Sequence, residues 1–311
     1  MSLFNGSALY IDIHESLVRV VKGSRSKGNI SIDGFGSLDL SSPIGRIPDE
    51  AHVRELGMAL AAYLDEPHFA AKHAHVVLSR DGIITRTARL PAMGVSALGE
   101  FLRAEINEFL PIDLSEYEFD YSIIKSFTAD DDGKDYYEVL LVAVPRLVLH
   151  QTMQLLEMAE LNLVSIDVLP NAFLRLFSRA PNQDFILMDT ARDGARISIY
   201  ENGSLILYSD VPPHDLNRGQ DITTLLEETR GYVDFFSSRN QGRKPDMLYI
   251  MGELTALRHS GKEVFENALA VEICMALDEA IGLKFSGKAG FQFGDMASLY
   301  AANIGLMFRH D

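Results

Sequence analysis

Ala8-Leu9-Tyr10-Ile11-Asp12-Ile13-His14-Glu15-Ser16-Leu17-Val18-Arg19-Val20-Val21 is the stretch that decides the fold. An apolar run ends around an aspartate, the polar triplet His14-Glu15-Ser16 breaks it, and a second apolar run returns. That is the signature of a β-hairpin carrying a carboxylate near the end of its first strand. A Gly/Ser/Lys-rich turn follows, then a third strand near Ile30–Leu40. The pattern recurs in the second half of the chain. Phe185–Asp189 is a buried-type strand closing on an aspartate, and Thr190-Ala191-Arg192-Asp193-Gly194 reads as a turn. Arg196–Tyr200 returns, Asn202-Gly203 is a strong hairpin turn, and Leu205–Ser209 is a third strand. Three antiparallel strands led by an aspartate therefore occur twice, which is duplication of whole lobes and not a solenoid period.

Composition is consistent with two lobes. The chain has 311 residues, 47% hydrophobic and 23% charged, enough apolar material for a sizeable core in each half. Cys274 is the only cysteine, so a disulfide framework is excluded and a reducing compartment is expected. The surrounding VEICMAL reads as a packed helix with an inert thiol. No signal-peptide pattern opens the sequence, and no stretch of roughly 18 apolar residues offers a membrane span. The expectation is a soluble intracellular protein that needs a partner to stay beside a membrane. A net charge of −16 argues against nucleic-acid binding, which requires neutralisation of phosphates, and against direct docking on anionic lipid. A basic protein segment is the more compatible partner.

Between the two hairpin regions, Ser41-Ser42-Pro43 and Pro48 mark a loop, and a helix is predicted from about Asp49 to Leu64 on the spacing of Val53, Leu56, Leu60 and Leu64. The segment from His75 to Asp167 reads as a unit of its own, ββα then ββαβ. Strand 76–78 turns at Asp81-Gly82 into strand Ile83–Leu90; Ser96 is predicted to cap a helix whose Leu98, Phe101, Leu102, Ile106 and Phe109 form one stripe. Strands Tyr117–Phe127 and Tyr136–Val144 flank the acidic turn Asp130-Asp131-Asp132-Gly133, and a helix from about Arg146 to Glu160 precedes strand Val164–Leu169. Helices are predicted at Asp221–Ser238, Lys262–Leu269 and Ala270–Gly282, with strand Met247–Met251 ending at Gly252, and Asp295 is expected to cap a C-terminal helix.

The repeated aspartate hairpin, followed late in the chain by Ile250-Met251-Gly252-Glu253, resembles the actin-like (ribonuclease H-like) ATPase fold. Asp12 stands where its first phosphate motif would be, Asp189 where the second would be, and Gly252 in the adenosine motif. The middle segment narrows this. Leu90-Pro91-Ala92-Met93, Phe101-Leu102-Arg103-Ala104-Glu105, Leu110-Pro111, Tyr117–Tyr121, Val139–Pro145 and Ile166-Asp167-Val168 look like the inserted subdomain of the PilM family, itself similar to FtsA and to the cytoplasmic part of GspL. The resemblance implies an α/β, two-lobed actin-like fold, with an inserted α+β subdomain in lobe 1 and the roof subdomain of lobe 2 missing. Its boundaries would be 1–74 for lobe 1, 75–167 for the insert, 168–182 for a connection, 183–290 for lobe 2, and 291–311 for a helix returning toward lobe 1. It implies a cytoplasmic scaffold peripheral to the inner membrane, in a type IV or MSHA-type pilus or a type II secretion machine. Such a scaffold is expected to bind the cytoplasmic tail of a PilN-like bitopic membrane protein in a groove between lobe 1 and the insert. Homodimerisation stays open.

The same residues depart from a working ATPase. Phosphate hairpins use a glycine two positions after the aspartate, so that backbone N–H groups can approach the phosphates. Here those positions are His14 and Ala191, and Glu15 adds a carboxylate whose repulsion of a phosphate at about 4 Å is worth a few kcal/mol. Arg192 could pair with phosphate, but Asp193 offsets it. Glu253 replaces a second glycine, and only Val211 to about Gln220 stand where the roof subdomain would be. No catalytic residue is assigned; Asp12, Asp189 and Gly252 are named as a vestigial nucleotide cleft, with no cofactor expected and ATP with Mg²⁺ as the alternative. That alternative is a functional ATPase of the same machinery. A small-molecule kinase is a third class, for which no catalytic carboxylate stands out. No metal site is expected. The pairs His14/Glu15 and His73/His75 have no second cluster to close a site, and Asp130–Asp132 lacks the later bidentate glutamate of a Ca²⁺ loop. Glu105 and Glu108 read as a solvated helix face that could meet a basic tail.

Overall fold

The computed structural model describes residues 7–26, 29–41, 43–44, 49–129, 133–180, 184–191, 194–211, 219–253 and 258–309. The predicted turns around Asp130–Asp132 and Arg192-Asp193, Pro48, and the short stretch 212–218 fall outside them. The described chain divides into two units. Among the described residues, one comprises 7–44, 49–80 and 153 onward; the other is 81–152.

In the larger unit, strand β1 (Ala8–Ile13) is buried along its whole length, as an apolar strand covered on both faces must be. Strands β2 (Leu17–Ser26) and β3 (Asn29–Asp39) continue from it as an antiparallel meander. On its other side lie β4 (His73–Leu78), parallel to β1, and β8 (Asn162–Val168), parallel to β4. The order is β14-β3-β2-β1-β4-β8, with β14 (Phe285–Ser286) at the edge. A second sheet repeats the plan. Strands β9 (Phe185–Ala191), β10 (Gly194–Glu201) and β11 (Ser204–Val211) form the meander, and β12 (Met247–Gly252) and β13 (Ile273–Cys274) run parallel beside β9, in the order β11-β10-β9-β12-β13. The β10–β11 turn has Asn202 and Gly203 at φ 50° and 73°, the left-handed pair that a two-residue hairpin of this hand requires.

The helices follow their apolar stripes. Helix α1 (Glu50–Leu64) begins at Asp49, whose Oδ1 accepts the His52 backbone N–H at 3.0 Å, and buries Val53, Leu56, Leu60 and Leu64. Leu225, Val233 and Phe236 of α5 (Gly219–Arg239) and Phe265 of α6 (Arg258–Leu269) close one face of the second sheet over Ile186, Met188, Leu248 and Ile250. Helix α4 (Leu169–Phe177) sets Phe177 against Phe185 and Tyr249 of that sheet. Its Ala172 carbonyl lies so close to α9 (Ala301–Met307) that a Cβ on Gly305 would stand 2.4 Å away. Asn303 of α9 is fully buried and donates through Nδ2 to the carbonyls of Tyr10, at 2.8 Å, and Arg19, at 3.0 Å. Asn303→Leu removes both hydrogen bonds at constant bulk. It is expected to lower stability by about 1–3 kcal/mol in urea unfolding; an unchanged midpoint would show that the bridge between α9 and the β1–β2 hairpin contributes nothing.

In the smaller unit, β5 (Ile84–Pro91), β6 (Tyr117–Thr128) and β7 (Asp135–Pro145) make an antiparallel sheet ordered β5-β7-β6. Leu98, Leu102 and Ile106 of α2 (Val95–Phe109) cover Leu90, Val139, Leu141 and Ala143. The division between units falls within α3 (Arg146–Met158).

Several sequence expectations change. The insert read as 75–167 is narrower, because β4 and β8 are ladder partners in the β1 sheet and do not belong with β5–β7. Residues 285–286, read as part of lobe 2, pair with β3 of the first sheet. Ser96 does not cap α2; the helix starts earlier, at N-cap Gly94, with Leu98 N–H bonded to the Gly94 carbonyl at 2.9 Å. Cys274 lies in a strand and not a helix, because it continues the parallel ladder beside Tyr249; its Sγ donates to the Ala276 carbonyl, and burial pushes its pKa up. Helix α7 is short (Leu277–Ile281) and ends on left-handed Gly282. Asp295 does not cap a helix but lies inside α8 (Gly290–Met296), and the single helix expected after it is two short pieces, a 3-10 turn at Ala297–Tyr300 and α9. Phe293 and Tyr300 of this stretch pack edge-to-face on Phe35.

Candidate functional site

The two aspartates that led the sequence reading end up buried in the larger unit, each facing an arginine. In the first sheet, Asp12 sits directly across the β1–β2 ladder from Arg19. In the second, Asp189 sits directly across the β9–β10 ladder from Arg196. Directly opposed residues on an antiparallel pair point to the same face, so register alone sets each carboxylate on the side of its arginine, although only Asp12 comes within ion-pair distance of it. All four side chains are inaccessible to solvent or nearly so.

Around Asp12 the network is dense. The hairpin turn closes with the His14 N–H on the Leu17 carbonyl at 2.9 Å, and the imidazole folds back over the strand. His14 Nε2 donates to Asp12 Oδ2 at 2.8 Å, which places the proton on that nitrogen. Arg19 Nη1 lies 3.1 Å from the same nitrogen and 3.6 Å from Asp12 Oδ2. The other carboxylate oxygen, Oδ1, accepts from Ser79 Oγ at 2.6 Å. Ser79 is placed just past β4 by its own N–H on the Ile13 carbonyl. Burial by itself would raise the Asp12 pKa. The charge and hydrogen bond of His14, the charge of Arg19 and the Ser79 hydrogen bond together outweigh it and hold the carboxyl below the usual value.

Asp189 is treated differently. Its Oδ2 is buried without a hydrogen-bond partner. Burial raises its pKa and dominates, with Arg19, His14 and Arg196 pulling down and the Asp12 charge adding repulsion. The charges of the two sheets are thus close enough to act on one another. Arg196 also approaches Asp210 Oδ1 at 3.7 Å.

Gly252 ends β12 at φ +81°, paired with Thr190. A Cβ there would stand 2.0 Å from the Thr190 carbonyl oxygen, so the bare backbone serves the strand contact. Thr190 Oγ1 donates to the Met251 carbonyl at 2.8 Å across the same contact. Glu15, expected to repel a phosphate, is paired instead with Arg80 at 3.4 Å. His75 bonds Ser165 Oγ through Nδ1 and stacks on Tyr10 at 5.2 Å. Among the described residues no group of three His, Cys, Asp or Glu side chains converges as a metal site, and no helix is long and apolar enough to cross a membrane.

Sequence reasoning found Asp12, His14, Asp189 and Gly252 but missed Arg19, Arg196 and Ser79. The signal was present for the arginines: each is a lone cation in an otherwise apolar return strand, at the same offset from its aspartate in both hairpins.

The profile of the family described as Type IV pilus assembly protein PilM matches residues 10–211. Among solved structures, the chain is similar to one described as a PilM–PilN type IV pilus biogenesis complex. Identity is 17% over 98% of this chain and 99% of that one, with a TM-score of 0.76. It is similar to the ethanolamine utilization protein EutJ from Carboxydothermus hydrogenoformans at 12% identity, over 99% of this chain and 91% of that one, with a TM-score of 0.51. It is also similar to the cytoplasmic domain of EpsL, an inner-membrane component of the type II secretion system of Vibrio cholerae. There identity is 11% over 79% of this chain and 82% of that one, with a TM-score of 0.46. No curated protein sequence matches. The duplicated sheets and the likenesses to the PilM–PilN structure and to EutJ show the two-lobed actin-like fold.

Proposed function

We propose, from the premise that this chain belongs to the PilM family of type IV pilus assembly proteins, that it is a cytoplasmic scaffold which does not turn over ATP. It works at the inner-membrane platform of a type IV or MSHA-type pilus or a type II secretion machine, and holds the cytoplasmic tail of a PilN-like bitopic membrane protein. The partner follows from the similar solved complex, which contains PilM with PilN. The excess of acidic residues, 44 against 28 basic, suits a basic tail.

The observation that carries the non-catalytic reading is the His14–Asp12 hydrogen bond with Arg19 beside it. A Mg²⁺-nucleotide needs carboxylate oxygens that a hard cation and its waters can reach. Here both Asp12 oxygens accept from the protein, and the imidazole occupies the place where a glycine would leave room for phosphate. Asp12, Asp189 and Gly252 are then an inherited frame. One observation favours the alternative of a working ATPase: Asp189 Oδ2 accepts no hydrogen bond.

Thermal unfolding with saturating Mg-ATP separates the two. A ligand at a hundred times its dissociation constant adds about 2.7 kcal/mol, a plain rise in melting temperature; no rise is expected. Calorimetric titration with synthetic cytoplasmic tails of PilN-like proteins should show saturable binding. Absence of heat with every candidate tail would remove the scaffold reading, whatever the ATP result.

A further inference from the structure

Two arginines of this acidic chain meet one aromatic ring, and a third follows that ring in the chain. Arg25, near the end of β2, holds its guanidinium carbon 4.5 Å from the Phe308 ring centroid, and Arg179, just past α4, approaches the same ring at 5.0 Å. Arg309 follows Phe308 directly in the chain. Their hydrogen bonds go to carbonyls: Arg25 Nη1 to Met307 at 3.4 Å, and Arg309 Nη1 to Ile166 at 2.9 Å. Arg25 Nε is buried with no acceptor. The neighbouring Arg175 is paired with Asp167, but among the described residues no carboxylate pairs with Arg25, Arg179 or Arg309.

That arrangement is unfavourable as it stands. Burial, and then the positive charge of Arg179, pull the Arg25 pKa down from its ordinary value. The ends of α4 and α9 attract cations, and the Phe308 face attracts two of them. Neither removes the repulsion between the arginines. Carboxylates are plentiful in a chain with 44 of them, yet none of the described ones pairs with these three. All three cations are arginines and none is a lysine. A guanidinium stacked on a ring turns its planar N–H fork outward, which suits bidentate recognition of an oxyanion. A phosphoryl group offers three strong acceptor oxygens and up to two charges, so it can accept from more than one fork at once.

The geometry points to a phosphoryl-binding site formed by Arg25, Arg179 and Arg309 around Phe308, toward the end of β2 remote from Asp12 and independent of the nucleotide reading. Its ligand is a phosphate carried by a soluble ester or by an anionic phospholipid headgroup.

Two probes with the full chain test this. The first is the ³¹P line width of inorganic phosphate titrated with protein; the second is co-sedimentation with phosphatidylglycerol vesicles, with phosphatidylcholine vesicles as the blank. Phosphate broadening without vesicle binding assigns a soluble ligand, and vesicle binding with little broadening assigns the headgroup; both support the site. In either case Arg179→Gln should weaken binding by about tenfold or more, and Arg179→Lys should restore only part. Arg179 is exposed, so an unchanged melting temperature is expected for both variants. No response to either probe, a response that Arg179→Gln leaves intact, or capture of a glutamate-rich peptide in place of phosphate would overturn the proposal.

Discussion

Asp12→Ala is expected to lower folding stability by about 3–5 kcal/mol, the opposite of what a carboxylate kept for a ligand would do. Removing it strips buried Arg19 of its counter-charge at 3.6 Å and buried His14 of its carboxylate partner, and leaves Ser79 Oγ without the oxygen it donates to. Breaking a buried pair is expensive because the surviving charge has no water to fall back on. The pH dependence follows from the same contacts. A carboxyl held below its ordinary value contributes stability above the unfolded-state pKa, and that contribution disappears as pH falls through the folded-state value. The parent protein should therefore lose an increment of stability in acid, below about pH 4, that Asp12→Ala no longer has to lose.

Asp189 supplies the internal comparison. Burial raises its pKa, so at neutral pH its ionised form opposes folding, and its contribution is fully present only below the ordinary carboxylate range. Asp189→Asn keeps the shape and removes the charge; it should be near neutral or mildly stabilising. Urea midpoints of the three proteins at neutral and acid pH measure all of this. Equal midpoints for Asp12→Ala and the parent would mean that the His14–Arg19–Ser79 network does not hold Asp12, and the argument against a nucleotide there would lose its basis.

The contrast also shows what the sequence could convey. The β1–β2 hairpin, the Asn202-Gly203 turn and the α1 stripe were legible because each is local: the pattern and the partner lie within a few residues. The placement of β4 and β8 was not, because a short apolar run declares a strand without declaring which ladder it joins. The C-terminal helix was not legible for a related reason, since its Tyr300 packs on Phe35, a partner distant in sequence that helical spacing does not register. At the site, His14 was recognised as an obstacle. That its imidazole bonds Asp12 depends on how the turn folds back, which periodicity does not encode. The arginines were overlooked because a cation in an apolar strand invites the reading of an exposed position. Here Asp12 across the ladder makes the burial of Arg19 tolerable, and Asp210 lies near Arg196.

Gly252 carries the other large expectation, because its place in the adenosine motif invites a ligand explanation that the backbone does not need. If glycine were kept there for a purine, alanine would leave folding unchanged apart from conformational strain. The added Cβ would instead meet three backbone atoms of Thr190: the carbonyl oxygen at 2.0 Å, the nitrogen at 2.7 Å and the carbonyl carbon at 2.9 Å. Thr190 cannot yield easily, being held between β10 and β12 next to the buried Asp189. Gly252→Ala should therefore cost about 3–5 kcal/mol, combining left-handed strain with a clash against backbone. Gly203→Ala separates the two contributions. Gly203 also has positive φ, 73°, but nothing lies within 4 Å of its would-be Cβ, so only about 1–2 kcal/mol of strain is expected there. The excess of Gly252→Ala over Gly203→Ala in urea unfolding is the measure of the strand contact. If the two variants unfold alike, β12 is not pressed against β9 at Thr190, and the space beside Gly252 becomes available to a ligand after all.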